Sequence, residues 1–144
     1  MIQKTRHIKV REIMQVTVYS VYPSQDVFDA SVLMATHGVG SLPVVKEDGT
    51  LVGILTDRDI VVRCNAIGKD LYKTKVFECM TSNPIRTVPS STLFDAMTLM
   101  AEYGVRRLPI IERDKLVGFI STSILHIYLM FAQMKLNQTK VASC

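Results

Sequence analysis

The chain lacks several features that would place it in a membrane or give it a well-known catalytic centre. Its longest apolar run, residues 124–132, is interrupted by His126 and falls far short of the roughly 20 residues needed to cross a bilayer. The first seven residues have no apolar centre of a signal peptide. The phosphate-binding pattern Gly-x-x-x-x-Gly-Lys-Ser/Thr and the spacings of catalytic triads are absent. We therefore expect a cytoplasmic protein that is not an enzyme and does not contact membranes.

Cysteine and histidine are also scarce. Cys64, Cys79 and Cys144 form no metal or redox motif, and their odd number favours reduced, structural thiols. The three histidines show no metal-ligand spacing, so we expect neither a metal nor a catalytic cofactor. The formal net charge of +4 fits an anionic small ligand or weak nucleic-acid contact, and it does not distinguish between the two.

What the chain does contain is a long repeat. Met14 and Met80 stand 66 residues apart (80 − 14), and the same offset joins four further pairs: Pro23 and Pro89, Phe28 and Phe94, Gly38 and Gly104, and Leu42 and Leu108. After one deletion near Gly49, an offset of 65 places Leu51-Val52-Gly53 over Leu116-Val117-Gly118. Two copies indicate a tandem pair of small domains, because a solenoid needs at least three units. Such halves usually pack about a pseudo-twofold axis, with clefts where they meet.

Each copy predicts the order strand, helix, strand, strand, helix. In the first copy, residues 18–22 predict a strand, and Asp26 can cap a helix that ends at Gly38. Residues 42–45 and 51–55 predict a hairpin, and Thr56 caps a second helix to about residue 66.

The second copy follows the same order. It predicts a strand at residues 85–88, a helix at 92–103, a hairpin of 108–112 with 116–120, and a last helix from Ser121 to about Leu136. The predicted fold class is therefore α+β, built of two β-α-β-β-α repeats. We assign the repeats to residues 8–67 and 76–130, with a linker at 68–75 and a helix end and tail at 131–144.

These motifs identify a resemblance. The first copy reads Gly38-Val39-Gly40-Ser41-Leu42-Pro43-Val44 and then Leu51-Val52-Gly53-Ile54-Leu55-Thr56-Asp57-Arg58-Asp59. The second reads Gly104-Val105-Arg106-Arg107-Leu108-Pro109-Ile110 and then Leu116-Val117-Gly118-Phe119-Ile120-Ser121. Each copy resembles the CBS domain, the module first named from cystathionine β-synthase. The resemblance implies a stand-alone tandem pair, often called a Bateman module, which commonly binds adenine nucleotides between its copies and dimerises into a flat disc.

The candidate site is centred on the Thr-x-x-Asp motif. Thr56 is predicted at a helix N-terminus, where free N–H groups and the helix dipole favour an anion, and a carboxylate at Asp59 can accept bonds from both hydroxyls of a ribose. The alternative is a helix cap with a favourable acid in its first turn. The resemblance implies an AMP, ADP or ATP site made of these residues: Ile54, Leu55, Thr56, Arg58, Asp59, Ile85, Arg106 and Arg107.

The reciprocal cleft looks degenerate. Ser121 takes the place of Thr56, but Ile124 stands where the ribose-binding acid would be, and Gly40-Ser41 replaces the two arginines. We therefore expect one tight nucleotide per chain.

Three functions remain open at this point. The first is a regulatory nucleotide sensor that signals its ligand state to a partner protein. The second is a dimerisation scaffold with an empty pocket. The third, an RNA- or DNA-binding role, has the weakest support, because no stretch interleaves aromatic and basic residues. The last helix carries an apolar arc wider than one core-facing stripe requires, which favours a homodimer, unless Ile8, Val10 and Ile13 cover it.

Overall fold

The computed structural model describes residues 2–142 of the chain. The helices are α1 (Ile2–Thr5), α2 (Val27–His37), α3 (Asp57–Asp59), α4 (Val76–Cys79), α5 (Leu93–Tyr103) and α6 (Thr122–Ala142). The strands are β1 (Ser41–Val45), β2 (Leu51–Thr56), β3 (Thr81–Ser82), β4 (Arg107–Glu112) and β5 (Lys115–Ser121). Short 3-10 turns lie at Val10–Glu12 and Asn65–Ile67, and a π-helix at Ile60–Cys64 continues α3. None of the described helices is long and apolar enough to span a membrane.

Two antiparallel hairpins form the centre of the fold, as the sequence predicts. β1 pairs with β2, and β4 pairs with β5, in equivalent registers with Pro43 opposite Ile54 and Pro109 opposite Phe119. β3 adds a short third strand to the first hairpin. The α+β class is confirmed.

The two leading strands predicted at residues 18–22 and 85–88 are wrong as strands. Each is reduced to one parallel bridge, Val21 with Val44 and Thr87 with Ile110. Val21 donates to the carbonyl of Pro43 and accepts from the amide of Val45. To extend the ladder, Pro43 would have to donate an N–H to the carbonyl of residue 19, and Pro23 would have to donate one to the carbonyl of Val45. Since proline has none, the ladder stops after one residue, and Pro109 and Pro89 impose the same limit in the second copy.

The helix ends follow the predictions at the glycines and differ at one cap. Gly38 and Gly104 end α2 and α5 in the left-handed conformation, with φ of 62° and 63°, which costs glycine little. Asp26 occupies the N-cap position of α2, but its carboxylate makes no capping bond and instead pairs with Lys75 at 2.6 Å. The last helix extends beyond the predicted end at Leu136 to Ala142.

The hydrophobic cores do not follow the sequence repeats. The first core contains Val27, Leu42 and Leu55, together with Val76 and Cys79 from the start of the second copy. The second core contains Leu93, Leu108 and Ile120, together with Val10 from the start of the chain, and Ile8, Ile13 and Met14 pack against it. Backbone bonds hold both segments: Val76 donates to Gln25, and Val10 donates to Ser91, each at 2.9 Å. Each copy therefore completes the core of the other.

The turns of the two hairpins meet across a pseudo-twofold axis. The amide of Leu51 donates to the carbonyl of Asp114 at 3.1 Å, and the amide of Leu116 donates to the carbonyl of Gly49 at 3.0 Å. These bonds are equivalent under the 65-residue offset. An ion pair of 2.8 Å joins Lys115 to Asp48. The hydrogen bond that Lys115 donates in this pair holds the pKa of the Asp48 carboxyl below its usual value. The axis predicted from the repeat therefore passes between the two turns.

Cys64 and Cys79 are fully buried and joined by a disulfide, with their Cα atoms 6.8 Å apart. The expectation of reduced thiols is wrong for these two residues. The sequence could not reveal the pairing, because it depends on α4 of the second copy packing beside the π-helix of the first. Cys144 lies outside the described residues.

Candidate functional site

A cleft of about 820 Å³ opens between the two copies at the start of α3. Its walls come from the end of β2 and the start of α3, from the segment around β3, and from the corner before β4. The residues that line it are Ile54, Thr56, Asp57, Arg58, Asp59, Thr81, Asn83, Pro84, Ile85, Gly104, Val105, Arg106 and Arg107. We call this space the large cleft.

A capping box fixes the Thr-x-x-Asp motif in the large cleft. The Thr56 hydroxyl accepts from the Asp59 amide at 3.1 Å, and the Asp59 carboxylate accepts from the Thr56 amide at 2.9 Å. The other carboxylate oxygen lies 3.6 Å from Nε of Arg63, and the Asp59 side chain is 13% exposed. The helix-cap interpretation therefore describes how Thr56 and Asp59 are arranged. It does not compete with ligand binding, because each carboxylate oxygen has a second lone pair and the Thr56 hydroxyl can still donate its proton.

The basic side chains of the large cleft are available to an anion. Within residues 2–142, Arg58, Arg106 and Arg107 have no carboxylate within 4.0 Å, whereas Arg63, outside the lining, faces Asp59 and donates to the carbonyls of Cys79 and Met80. A planar guanidinium without a carboxylate partner can offer two parallel N–H donors to a phosphate. Asp57 also lines the cleft and limits its positive charge.

Seven of the eight residues predicted for the site line the large cleft. Leu55 is the exception, because its side chain is 0% exposed and belongs to the first core. Neighbouring strand residues point to opposite faces, so Ile54 and Thr56 turn toward the cleft and Leu55 turns away. Thr81 and Asn83 were missed. Thr81, Asn83 and Ile85 are two residues apart, and in an extended segment residues at this spacing face the same side. That spacing was the signal that could have added Thr81 and Asn83 to the predicted lining.

A second space of about 330 Å³ lies across the pseudo-twofold axis, and we call it the small cleft. Gln15, Thr17 and Tyr19 occupy the places that Thr81, Asn83 and Ile85 hold in the large cleft. The remaining lining residues are Val18, Gly38, Val39, Gly40, Ser41, Pro43, Arg107, Phe119, Ser121, Ser123 and Ile124. The Ile124 amide reaches the Ser121 hydroxyl at 3.4 Å, the counterpart of the Thr56 cap without its acid.

No metal site accompanies either cleft in the part of the chain that the structure describes. Among residues 2–142, no cluster of three or more His, Cys, Asp or Glu side chains is arranged to hold an ion. Hydroxyls, carboxylates, guanidiniums and apolar side chains line the clefts and are available to a ligand.

Comparison with known proteins defines the class. The CBS domain family model matches residues 10–65 and again residues 76–129. Together with the two equivalent hairpins and the clefts between them, these matches show that the chain belongs to the CBS-domain family and carries a tandem pair of CBS domains.

Individual relatives agree with this assignment. The CBS domain-containing protein YhcV of Bacillus subtilis is 43% identical over 112 residues, which cover 78% of this chain and 79% of that protein. A protein with CBS domains from Burkholderia ambifaria has a structure with a TM-score of 0.80 at 33% identity, covering 87% of this chain and 96% of that one. The structure of CBSX2 in complex with AMP gives a TM-score of 0.77 at 27% identity, covering 87% and 99%.

Proposed function

We propose that the chain is a regulatory module that binds an adenine nucleotide in the large cleft and communicates its ligand state to a partner protein. The observation that carries the proposal is the meeting, in one cleft between the copies, of Thr56, Asp59 and three arginines that have no carboxylate partner among the described residues. The complex of the similar CBSX2 with AMP supports adenylate as the ligand class. The activity is binding, and no lining residue is assigned a catalytic role.

Each group in the large cleft suits one part of an adenylate. The Thr56 hydroxyl and Arg106 or Arg107 are suited to the 5′-phosphate, because they place donors at a helix start and on a planar fork. The Asp59 carboxylate is suited to the two ribose hydroxyls. Ile54 and Ile85 give the base an apolar surface.

Thermal unfolding of the purified chain with AMP, ADP, ATP, NAD, S-adenosylmethionine and GTP tests this function. A ligand present at one hundred times its dissociation constant should add about 2.7 kcal/mol to the free energy of unfolding. The proposal expects stabilisation by at least one adenine nucleotide and less by GTP. If no nucleotide in the panel shifts the transition, the large cleft is empty in solution and the scaffold function takes its place.

The asymmetry of the clefts predicts the stoichiometry. Isothermal titration calorimetry of the best nucleotide should give one tight site per chain, because only the large cleft carries both a ribose acceptor and paired arginines. In the small cleft an isoleucine at position 124 cannot accept a hydrogen bond from ribose. Two equivalent tight sites would contradict the assignment of Asp59 as the decisive acceptor.

We also propose that α6 pairs with a second copy of the chain. Its inner face is covered, since Leu125 is buried and Tyr128 packs on the second core beside Ile8 and Ile13. A stripe at helical spacing stays exposed, with between 52% and 61% of each side chain accessible: Ile127, Met130, Phe131 and Met134. The amino-terminal segment thus covers one part of the apolar arc and leaves another, and a homodimer would bury that part.

Light scattering at micromolar concentration tests the homodimer. We expect twice the chain mass of 16.2 kDa for the wild type and a shift to monomer for Phe131→Lys, which places a charge in the centre of the stripe. The matched control is Gln133→Lys, an exposed position on α6 outside the stripe, which should leave the dimer intact. A wild-type mass of one chain would refute the pairing.

A further inference from the structure

One side chain belongs to both clefts. Arg107 lines the large cleft and the small cleft, and it is the one residue that their described linings share. Its guanidinium lies against the backbone of Gly40, since a Cβ atom added there would come within 2.8 Å of Nη2 of Arg107 and 2.9 Å of Oδ2 of Asp57. Gly40 lines the small cleft and Asp57 lines the large one. The guanidinium therefore lies at the boundary between the two spaces.

The two clefts depend on this guanidinium to different degrees. Every other residue that lines the small cleft is uncharged at neutral pH, so Arg107 supplies its entire formal charge. The large cleft has Arg58 and Arg106 as further cations, beside the carboxylates Asp57 and Asp59. An anion in the small cleft must therefore draw on Arg107, whereas a phosphate in the large cleft gains from it.

No ion pair holds the guanidinium toward one cleft within the described chain. The absence of a side chain at Gly40 gives the guanidinium room at the boundary between the clefts, where a Cβ atom would collide with it. Two parallel N–H donors on one edge of the plane make a bidentate contact with an oxyanion. A guanidinium that directs this edge into the small cleft no longer presents it to a phosphate in the large cleft.

We propose that Arg107 couples the two clefts, so that negative charge in the small cleft weakens phosphate binding in the large cleft by withdrawing the shared guanidinium. This coupling rests on the proposed function of the large cleft. It gives the small cleft a regulatory role as a site for a small anion that needs no ribose acceptor. The coupling is negative. It is also reciprocal, because linkage between two binding sites acts equally in both directions.

The charge change Gln15→Glu tests the coupling without a second ligand. Gln15 lines the small cleft, is exposed, and differs from glutamate by a single group, so the variant places a carboxylate in that cleft with little change in shape. Calorimetry at low ionic strength should show a roughly two- to fivefold loss of AMP affinity, the effect of a partly exposed ion pair. Adenosine, which has no phosphate, should bind both proteins equally. The control Gln3→Glu, exposed and outside both linings, should leave AMP affinity unchanged.

A double-mutant cycle separates coupling through Arg107 from a direct effect of the new charge. In an Arg107→Gln background, Gln15→Glu should change AMP affinity by less than the error of measurement. A loss of the same size with and without Arg107, or no loss in either background, would overturn the coupling while leaving the nucleotide site standing. A wild-type protein that binds no AMP would overturn the proposed function and the coupling together.

Discussion

Replacing Val76 with aspartate is expected to abolish cooperative folding of the whole chain. Val76 is 0% exposed and lies in the first core, although it belongs to the second sequence repeat. An unpaired carboxylate at this position should cost at least about 4 kcal/mol, a large part of the stability of a domain of this size. Urea denaturation followed by circular dichroism should show no cooperative transition for this variant.

The neighbouring residue provides the control for the Val76 experiment. Phe77 follows directly in α4 and is 56% exposed, so Phe77→Asp should leave the urea midpoint close to that of the wild type. The milder Val76→Ala should fold and lose about 2 kcal/mol of unfolding free energy, from lost burial and the cavity that remains. If Val76→Asp unfolds at the wild-type midpoint, the exchange of core segments between the copies is wrong.

Replacing Asp59 with asparagine is expected to reduce AMP affinity by roughly ten- to a hundredfold, the size of a charge-assisted hydrogen-bond loss of about 1.5–3 kcal/mol. The amide keeps one oxygen to accept from the Thr56 amide, so the cap that the structure shows can persist. Adenosine binding should fall by a similar factor, because the lost bonds go to the ribose. Calorimetry with both ligands measures the effect.

The second repeat within the same chain contains a matched control for Asp59. Thr92 and Asp95 form the same capping box at the start of α5, and neither lines a cleft. The Thr92 hydrogen bond lowers the pKa of the Asp95 carboxyl, which favours the ionised form of this capping side chain. Asp95→Asn should therefore lower thermal stability slightly and leave AMP affinity unchanged. Equal losses of affinity in both variants would assign the effect to helix capping and not to ligand contact.

Much of the fold could be predicted because the signals are local or periodic. The glycines that end α2 and α5 and the two hairpin turns each depend on a few adjacent residues. The predictions of the two leading strands were wrong. Their cause, the prolines, is present in the sequence, but its effect is visible only once the partner strand is known. Pro43 stops the ladder only because the carbonyl of residue 19 would have needed its N–H.

The candidate site was predicted from a local motif together with the family resemblance. The resemblance to CBS domains implied that the arginine corner faces the Thr-x-x-Asp motif, and the structure brings these groups around one cleft. Leu55 lies outside the lining because its side chain points into the first core, and the motif alone does not show which face of the strand each residue takes.

By itself, the sequence determined the duplication and the class of the fold. It also determined that Ile124 in the second half stands where the first half has Asp59. All three follow from residues compared at a fixed offset. Only the tertiary structure decided which segments complete which core, that Cys64 meets Cys79, and that Arg107 reaches both clefts. The physical reason is the pseudo-twofold packing. It joins residues that are distant along the chain, and the contacts near its axis have no counterpart in any local pattern.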